Sequence, residues 1–352
     1  MRKLKIAVIF GGCSTEYDIS LKSAYSVVTH MNAEKYQPIM LGITRTGEWY
    51  LYNGPTENIA SDTWQNPQYC TPAIISPDRE TQGILVLGGN TQTISLDAAL
   101  PILHGKNGED GTIQGLLTLA GIPVIGCGIL ASALCMDKDR AHKLAAAAGV
   151  RVPQAFTIGC ESQTDMVIHK AEELGFPLFV KPVKSGSSFG VTKVSSKHEL
   201  PLAIKLAFEH DDEVIIEENI EGFEVGCAII GNRYLIVGQV DEVELSQGFF
   251  DYKEKYNLET SQIHVPARIA AVKAEEIKET AKLIYRALGC SGFARVDMFL
   301  TPEGGILFNE VNTIPGFTTH SRFPNMLKAI GMTFEQIVDE IIKQTIEAGA
   351  YA

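Results

Sequence analysis

Apolar positions along this chain alternate between two periods. Ile6 to Phe10 is a short unbroken apolar run, the pattern of a strand buried on both faces. A helical spacing follows from about Ser20 through Ala24, Val27, Val28 and Met31, after the turn Gly11-Gly12-Cys13-Ser14-Thr15-Glu16. Strand, glycine turn and helix open a doubly wound α/β sheet, and the helix start offers N–H groups to an anion. The turn does not spell G-x-G-x-x-G, so no dinucleotide is inferred. Strand-like Ile39 to Ile43 and a hairpin arm at Gly47 to Tyr52 come next, then a polar, turn-rich stretch, 53–95, with short β-like pieces such as Gly83 to Leu87. Leu100 to Leu103 predicts a strand ending at His104-Gly105 in a Gly-rich loop, with a helix over 112–120 behind it. Open α/β sheets bind ligands at such strand ends, which makes His104 a candidate substrate contact.

The alternation continues to the C-terminus. Helices are expected over 129–135 and 138–148, the second capped by Asp137, and over 163–175, closed by Gly175. Strand-like Phe176 to Val180 and Val191 to Val194 flank the segment Lys181 to Gly190. A helix over 198–210 precedes a strand, Glu213 to Glu218, that ends in two acids. Phe223 to Ile230 and Tyr234 to Val240 read as an antiparallel pair across Gly231-Asn232. From 241 to 266 the period degrades into a long loop that mixes aromatics with charges, the composition of a lid. An amphipathic helix over 273–288, a hairpin of 293–300 with 305–312, and a helix over 333–347 complete the chain.

Composition narrows the classes. With 352 residues, two or three domains are expected, and 45% hydrophobic with 20% charged residues is ordinary for a globular protein. A net charge of −12 argues against broad nucleic-acid binding and against docking on an anionic membrane. The seven cysteines are scattered, without C-x-x-C, and read as free thiols of a reducing compartment. The first apolar run stops at Gly11-Gly12, too short for a signal peptide, and no stretch approaches a membrane span; a cytoplasmic protein is expected.

Two segments carry chemistry. Lys181-Pro-Val-Lys-Ser-Gly-Ser-Ser-Phe-Gly190 is a hairpin tip of small residues whose backbone N–H groups can approach an anion, with a lysine beside it. Asp297, Glu310 and Asn312 lie on two adjacent strands. Glu310 and Asn312, two positions apart, share a face. Two carboxylates and an amide, without His or Cys, suit Mg²⁺ bridging phosphates. Acids on a solvated strand face are the bland alternative, but these sit among Phe293, Val296, Met298, Phe299, Leu307 and Phe308, where a carboxylate needs a partner.

Together these segments resemble the ATP-grasp fold. Finer spellings extend the resemblance: Gly11-Gly-Cys-Ser-Thr-Glu16 before Ser20-Leu21, His104-Gly-x-x-Gly-Glu109-Asp-Gly, Met136-Asp-Lys138, Lys181-Pro, Gly186-Ser-Ser-x-Gly190, Glu254-Lys255-Tyr256, Arg295-x-Asp297, Asn309-Glu310-x-Asn312 and Pro315-Gly316-x-Thr318 before His320-Ser321. In this order, over nearly the whole chain, they resemble the D-alanine–D-alanine ligase family. The resemblance implies a Rossmann-like N-terminal substrate domain (1–125), a central ATP-grasp subdomain with the phosphate loop (126–216), and a C-terminal subdomain (217–352) with the metal site and a lid loop at 241–262. It implies ATP, with two Mg²⁺ (or Mn²⁺) on Asp297, Glu310 and Asn312. Lys138, Lys181 and Lys255 would hold phosphates under Ser188, with Glu217 at the adenine amine, Ile220 at its ring and Glu224 at the ribose. Glu16 would hold the ammonium of D-alanine, with His104 near its carboxylate. Glu16, Ser187 and Tyr256 would form a hydrogen-bonded triad, and Arg295 and the Gly316 N–H would face the oxyanion. Relatives are usually homodimers.

The second substrate is where the chain departs from the commoner pattern. Ser321, expected at the second carboxylate, is followed by Arg322 where D-Ala-D-Ala-forming enzymes often have leucine, and the lid reads Phe249-Phe250-Asp251-Tyr252. Both features are similar to the vancomycin-resistance D-alanine–D-serine ligases. Tyr256 argues against D-lactate use, which goes with a histidine in that region. D-serine is therefore expected as second substrate, with Phe250 and Arg322 around it, and D-alanine as the alternative. A different ATP-grasp carboxylate–amine ligase fits the His-Gly and Glu-Lys-Tyr motifs less well. A non-catalytic nucleotide-binding module would be expected to have lost some of these lysines and acids.

Overall fold

A computed structural model describes residues 2–186, 189–245 and 261–349. The chain forms three sheets. The first is laid down by β1 (Leu4–Gly11), α1 (Tyr17–His30), β2 (Tyr36–Ile43), β3 (Trp49–Tyr52), α2 (Glu57–Ala60), β4 (Cys70–Ile75), β5 (Gly83–Val86), β6 (Gln92–Ser95) and β7 (Ala98–Ile102). Its strand order is β6-β5-β4-β3-β2-β1-β7. Only β2, β1 and β7 run parallel; β3 to β6 extend the sheet antiparallel. The polar stretch 53–95 is thus three short edge strands and one helical turn, too brief to show a period. Ile6, Ala7, Val8 and Ile9 are all inaccessible, which is why β1 reads as a continuous apolar run. Helix α1 begins at Tyr17, three residues before the spacing predicts. Gly11 leaves β1 at φ +89, and a Cβ there would meet the Ile43 carbonyl oxygen at 2.0 Å, so the turn toward α1 admits only glycine.

Helices α3 (Thr112–Leu119), α4 (Ile129–Met136) and α5 (Lys138–Ala147) follow. Asp137 caps α5 as expected, accepting from the Arg140 N–H at 2.9 Å. The second sheet contains β8 (Ala155–Gly159), β9 (Leu178–Pro182), β10 (Thr192–Val194) and β11 (Glu213–Glu218), with α6 (Thr164–Leu174) and α7 (Leu200–Phe208) packed on it. It is antiparallel throughout, in the order β10-β9-β11-β8. The β9–β10 pair forms the hairpin whose tip is expected at phosphate.

The third sheet holds β12 (Phe223–Gly231), β13 (Leu235–Val237), β14 (Asp241–Leu245), β15 (Ser261–His264), β16 (Phe293–Leu300) and β17 (Ile306–Asn312), with α8 (Ala271–Ala287), α9 (Arg322–Lys328) and α10 (Phe334–Gly349). Its path is β15-β14-β12-β16-β17, and β13 pairs with β12. The loop expected from 241 to 262 is corrected at both ends. Asp241–Leu245 pairs with β12 and with Ser261–His264, so the described ends of that segment are strands of the sheet. Their run of acids, Asp241-Glu242-Val243-Glu244, hides a strand whose carboxylates are bound by Arg322 and Arg268.

Two cores join these layers. Ile6, Val8 and Phe10 share one with Ala228, Ile230, Phe293, Phe317, Phe323 and the apolar face of α10, so the first and third sheets are packed through common side chains. Residues of α4 and α5, Ala131, Cys135, Ala141 and Ala145, are buried with β12, β16, β17 and α8. By packing these helices belong with the third sheet, although their place in the sequence puts them in the central unit.

Candidate active site

Strand register builds the centre of the site. Across the third sheet, Asp241 on β14 lies opposite Gly226 on β12, Gly226 opposite Asp297 on β16, and Asp297 opposite Glu310 on β17. Arg295 faces Asn312 in the same pairing. The register slips after Asp297, since Met298 pairs with Phe308, and this bulge at Asn309 sets Glu310 opposite the acid while Asn312, opposite Arg295, reaches it through its side-chain amide. One row of the sheet therefore collects the oxygen donors expected to hold metal. Gly226 is required within it: a Cβ would lie 2.5 Å from Arg322 Nη2, 2.7 Å from Asp241 Oδ1 and 2.9 Å from Asp297 Oδ1.

Two buried arginines balance this acidic row. Arg295 donates through Nε and Nη2 to Asp297 at 2.8 and 2.7 Å, and the Asn312 amide donates to the same carboxylate at 2.9 Å. Arg322 reaches down from α9. Its Nε and Nη2 donate to Asp241 at 2.6 and 2.8 Å, its Nη1 donates to Glu224, and its Nη2 stands 3.4 Å from Asp297 Oδ1. Burial would raise the Asp297 carboxyl, but Arg295 and then Arg322 hold it below the usual range. Burial likewise works against the Arg322 charge, and Asp241, Asp297 and Glu224 overcome it. Glu224, expected at a ribose, here gives its carboxylate to Arg322. Asp297, Glu310 and Asn312 are the hard oxygen set that Mg²⁺ takes, so the residues fit that ion.

Beside this row lies a cavity of about 540 Å³. Glu16, His104, Lys138, Gly186, Arg295, Glu310, Asn312, Gly316, Ser321 and Arg322 all line it, drawn from the three sheets and their loops. Glu16 precedes α1 without capping it. Cβ atoms at Gly105 and Gly186 would lie 3.3 and 3.4 Å from its two carboxylate oxygens, so the phosphate hairpin and the His-Gly loop both approach this one acid. Lys138 Nζ donates to the Ser185 carbonyl at 2.6 Å and so rests against the hairpin. Ser321 accepts from the Thr318 N–H at 3.0 Å, which folds the loop after Gly316.

A second cluster lies away from the cavity wall. Lys181 Nζ donates to Glu217 Oε2 at 2.5 Å. Burial would raise Glu217, but Lys181, with smaller help from His142 and Lys138, keeps it below its ordinary value. Glu217 Oε1 and His142 Nδ1 stand 3.7 Å apart, and among the described residues neither has a hydrogen-bond partner. An orphaned, inaccessible acceptor next to a lysine fits a ligand carrying both an N–H donor and an anion, as a nucleotide does. Ile220 lies half-buried in the loop just beyond this strand. Ser187, Ser188, Phe250, Lys255 and Tyr256 lie outside the described residues.

His104, at the cavity wall, is itself held by protein groups. Its Nδ1 meets the Ile314 carbonyl at 2.7 Å and its Nε2 meets Ser23 Oγ at 3.2 Å, so both ring nitrogens are bound by protein. Burial lowers its pKa from 6.5 to about 4, with a smaller push from Arg295. The imidazole is neutral at pH 7 and acts here by position, not charge. On acidification the unfolded chain takes up this proton first. The stability that His104 contributes is complete above pH 6.5 and is lost as pH falls toward 4, about 3 kcal/mol in all. The drop in melting temperature between about pH 7.5 and about pH 5 is expected to be smaller in His104→Gln than in the parent. An equal drop in both would remove this assignment.

Four residues of the site carried no role in the sequence reading. Glu109 accepts from the Gly105 N–H at 3.0 Å and the Ile314 N–H at 2.8 Å, and burial pushes its pKa up to about 7. Its signal was present, as an acid inside a Gly-rich loop. Asp241 looked like the start of a loop, while Ser23 and His142 looked like ordinary helix positions.

The chain matches two family models, the D-Ala–D-Ala ligase N-terminus over residues 5–127 and the D-Ala–D-Ala ligase C-terminus over residues 144–343. It is 47% identical over 353 residues to the vancomycin B-type resistance protein VanB of Enterococcus faecalis, covering 99% of this chain and 100% of that protein. It is 42% identical to a D-alanine–D-alanine ligase of Caldicellulosiruptor bescii, over 99% of this chain and 96% of the relative. The crystal structure of the VanG D-Ala:D-Ser ligase from Enterococcus faecalis superposes with a TM-score of 0.92 at 56% identity, covering 98% of this chain and 100% of that one.

Proposed function

The chain belongs to the D-alanine–D-alanine ligase family, with the ATP-grasp fold of that family, and from that premise we propose that it joins D-alanine to D-serine. ATP phosphorylates the carboxylate of D-alanine. The amine of the second amino acid attacks the resulting acyl phosphate, phosphate leaves the tetrahedral intermediate, and a dipeptide and ADP remain. Glu16, lodged between the His-Gly loop and the phosphate hairpin, holds the first ammonium. Lys138 and Lys181 hold phosphates beside that hairpin, and Glu217 takes the adenine amine on its unpartnered oxygen. Asp297, Glu310 and Asn312 would hold two Mg²⁺, or Mn²⁺, whose charge would offset that of the transferred phosphoryl group. Arg295 and the Gly316 N–H receive the oxyanion. Glu16, Ser187 and Tyr256 join the three units, and the segment around Phe250 and Lys255 excludes water. The product is a peptidoglycan precursor made in the cytoplasm, and among the described residues no helix is long and apolar enough to cross a membrane. A homodimer belongs to this reading, as the family resemblance implies.

Arg322 is the observation that favours D-serine. It lines the cavity and is fixed from behind by inaccessible Asp241, so its guanidinium is held in place as a donor for a hydroxyl. A site built for a hydroxyl loses affinity for the analogue that leaves its polar groups unpaired. Mass spectrometry of products from ATP with equimolar D-alanine and D-serine is expected to show D-Ala-D-Ser in at least about tenfold excess. Predominant D-Ala-D-Ala, or a depsipeptide when D-lactate is added, would overturn the specificity; absence of any D-alanyl product would overturn the whole reading.

A further inference from the structure

Ser23 is fully buried on α1, far in sequence from the loop that carries Gly316. Its Oγ accepts from the Phe317 N–H at 3.1 Å and lies 3.2 Å from His104 Nε2. Because His104 is neutral and uses Nδ1–H on the Ile314 carbonyl, its Nε2 is a lone pair, and the Ser23 hydroxyl must donate to it. One hydroxyl is therefore both acceptor from the loop and donor to the histidine that grips the same loop. Glu109 adds a further bond, to the Ile314 N–H. The segment Ile314-Pro315-Gly316-Phe317 is held at both ends, by the Ile314 N–H and carbonyl on one side and the Phe317 N–H on the other. All the anchors come from the N-terminal half of the chain.

We propose that Ser23 is a positioning residue for the reaction: through the Phe317 N–H and His104 it fixes the Gly316 amide where the tetrahedral intermediate forms. The proposal rests on Gly316 facing the oxyanion. Ser23 touches no substrate, and its effect is wholly on the aim of that amide. A buried hydroxyl with both hydrogen-bonding directions used is costly to lose, since removal strands an N–H and a ring nitrogen. A small displacement of a catalytic donor is sufficient to slow chemistry strongly.

The test compares Ser23→Ala with the parent in four measurements: kcat for dipeptide formation, KM for ATP, binding of a phosphinate dipeptide analogue with tetrahedral phosphorus, and thermal unfolding. The expected result is a fall in kcat of about 10- to 100-fold with a matching loss of phosphinate affinity, while KM for ATP stays within about twofold. An unchanged kcat in folded Ser23→Ala overturns the role of Ser23 alone. A lower kcat with unchanged phosphinate affinity overturns the placing of Gly316 at the oxyanion. Equal losses in kcat and ATP binding reduce Ser23 to a packing residue and overturn the proposal. If Ser23→Ala does not fold, Ser23→Cys, of similar volume and with a weak donor, is measured in the same way. An intermediate kcat supports the proposal and parental kcat overturns it.

Discussion

Arg322→Leu is expected to cost about 3–5 kcal/mol of stability and to abolish any preference for D-serine over D-alanine. The cost follows from what surrounds the guanidinium. Asp241 is inaccessible and Glu224 nearly so, and both are bonded to Arg322, with Asp297 at 3.4 Å from the same group. Removing the cation strips inaccessible Asp241 of the guanidinium that bonds it and leaves Arg295 alone to balance Asp297, which is far worse than removing an acid together with its partner. Arg322→Leu combined with Asp241→Leu is therefore expected to regain at least half the lost stability in thermal unfolding, yet to remain unselective between the two substrates. Stability and selectivity separate in that pair of variants because the first depends on charge balance and the second on a polar partner for the hydroxyl. Parental melting and parental product ratios in the single variant would mean that the cluster governs neither.

Arg295→Ala is expected to lower kcat by about 10²–10³-fold with little change in KM for ATP. The guanidinium donates through Nε and Nη2 to the Asp297 carboxylate, so its remaining N–H groups are held in a fixed direction beside the cavity. Arg295→Lys keeps the charge but cannot form the fork, and an intermediate rate is expected. A rise in KM for ATP as large as the fall in kcat would place Arg295 in nucleotide binding, through its hold on Asp297, and not at the oxyanion.

Much of this site is legible because the chemistry is local. The phosphate hairpin is a short turn between two strands, and its glycines and serines are contiguous. Asp297, Glu310 and Asn312 belong to one hairpin, and the strand period by itself puts Glu310 and Asn312 on one face. Asp137 is a cap read from its own next three residues, and structure and sequence agree there. The cluster around Arg322 has no such local signal. Glu224, Asp241, Asp297 and Arg322 are separated by up to 98 positions, and nothing in their spacing shows that they balance one another. The same holds for Ser23, which is 294 positions from the amide it binds.

By itself, then, the sequence determined most of the element order and, through ordered motifs, the family. Periodicity and motif spacing report on neighbours along the chain, and those features consist of such neighbours. The tertiary structure alone decided which charges balance one another, that Gly226 must lack a side chain, that His104 is held neutral, and that the N-terminal sheet aims the loop of the C-terminal one. These depend on register between strands and on burial, which set the local dielectric and the hydrogen-bond partners. Both arise only when distant segments are packed into one core.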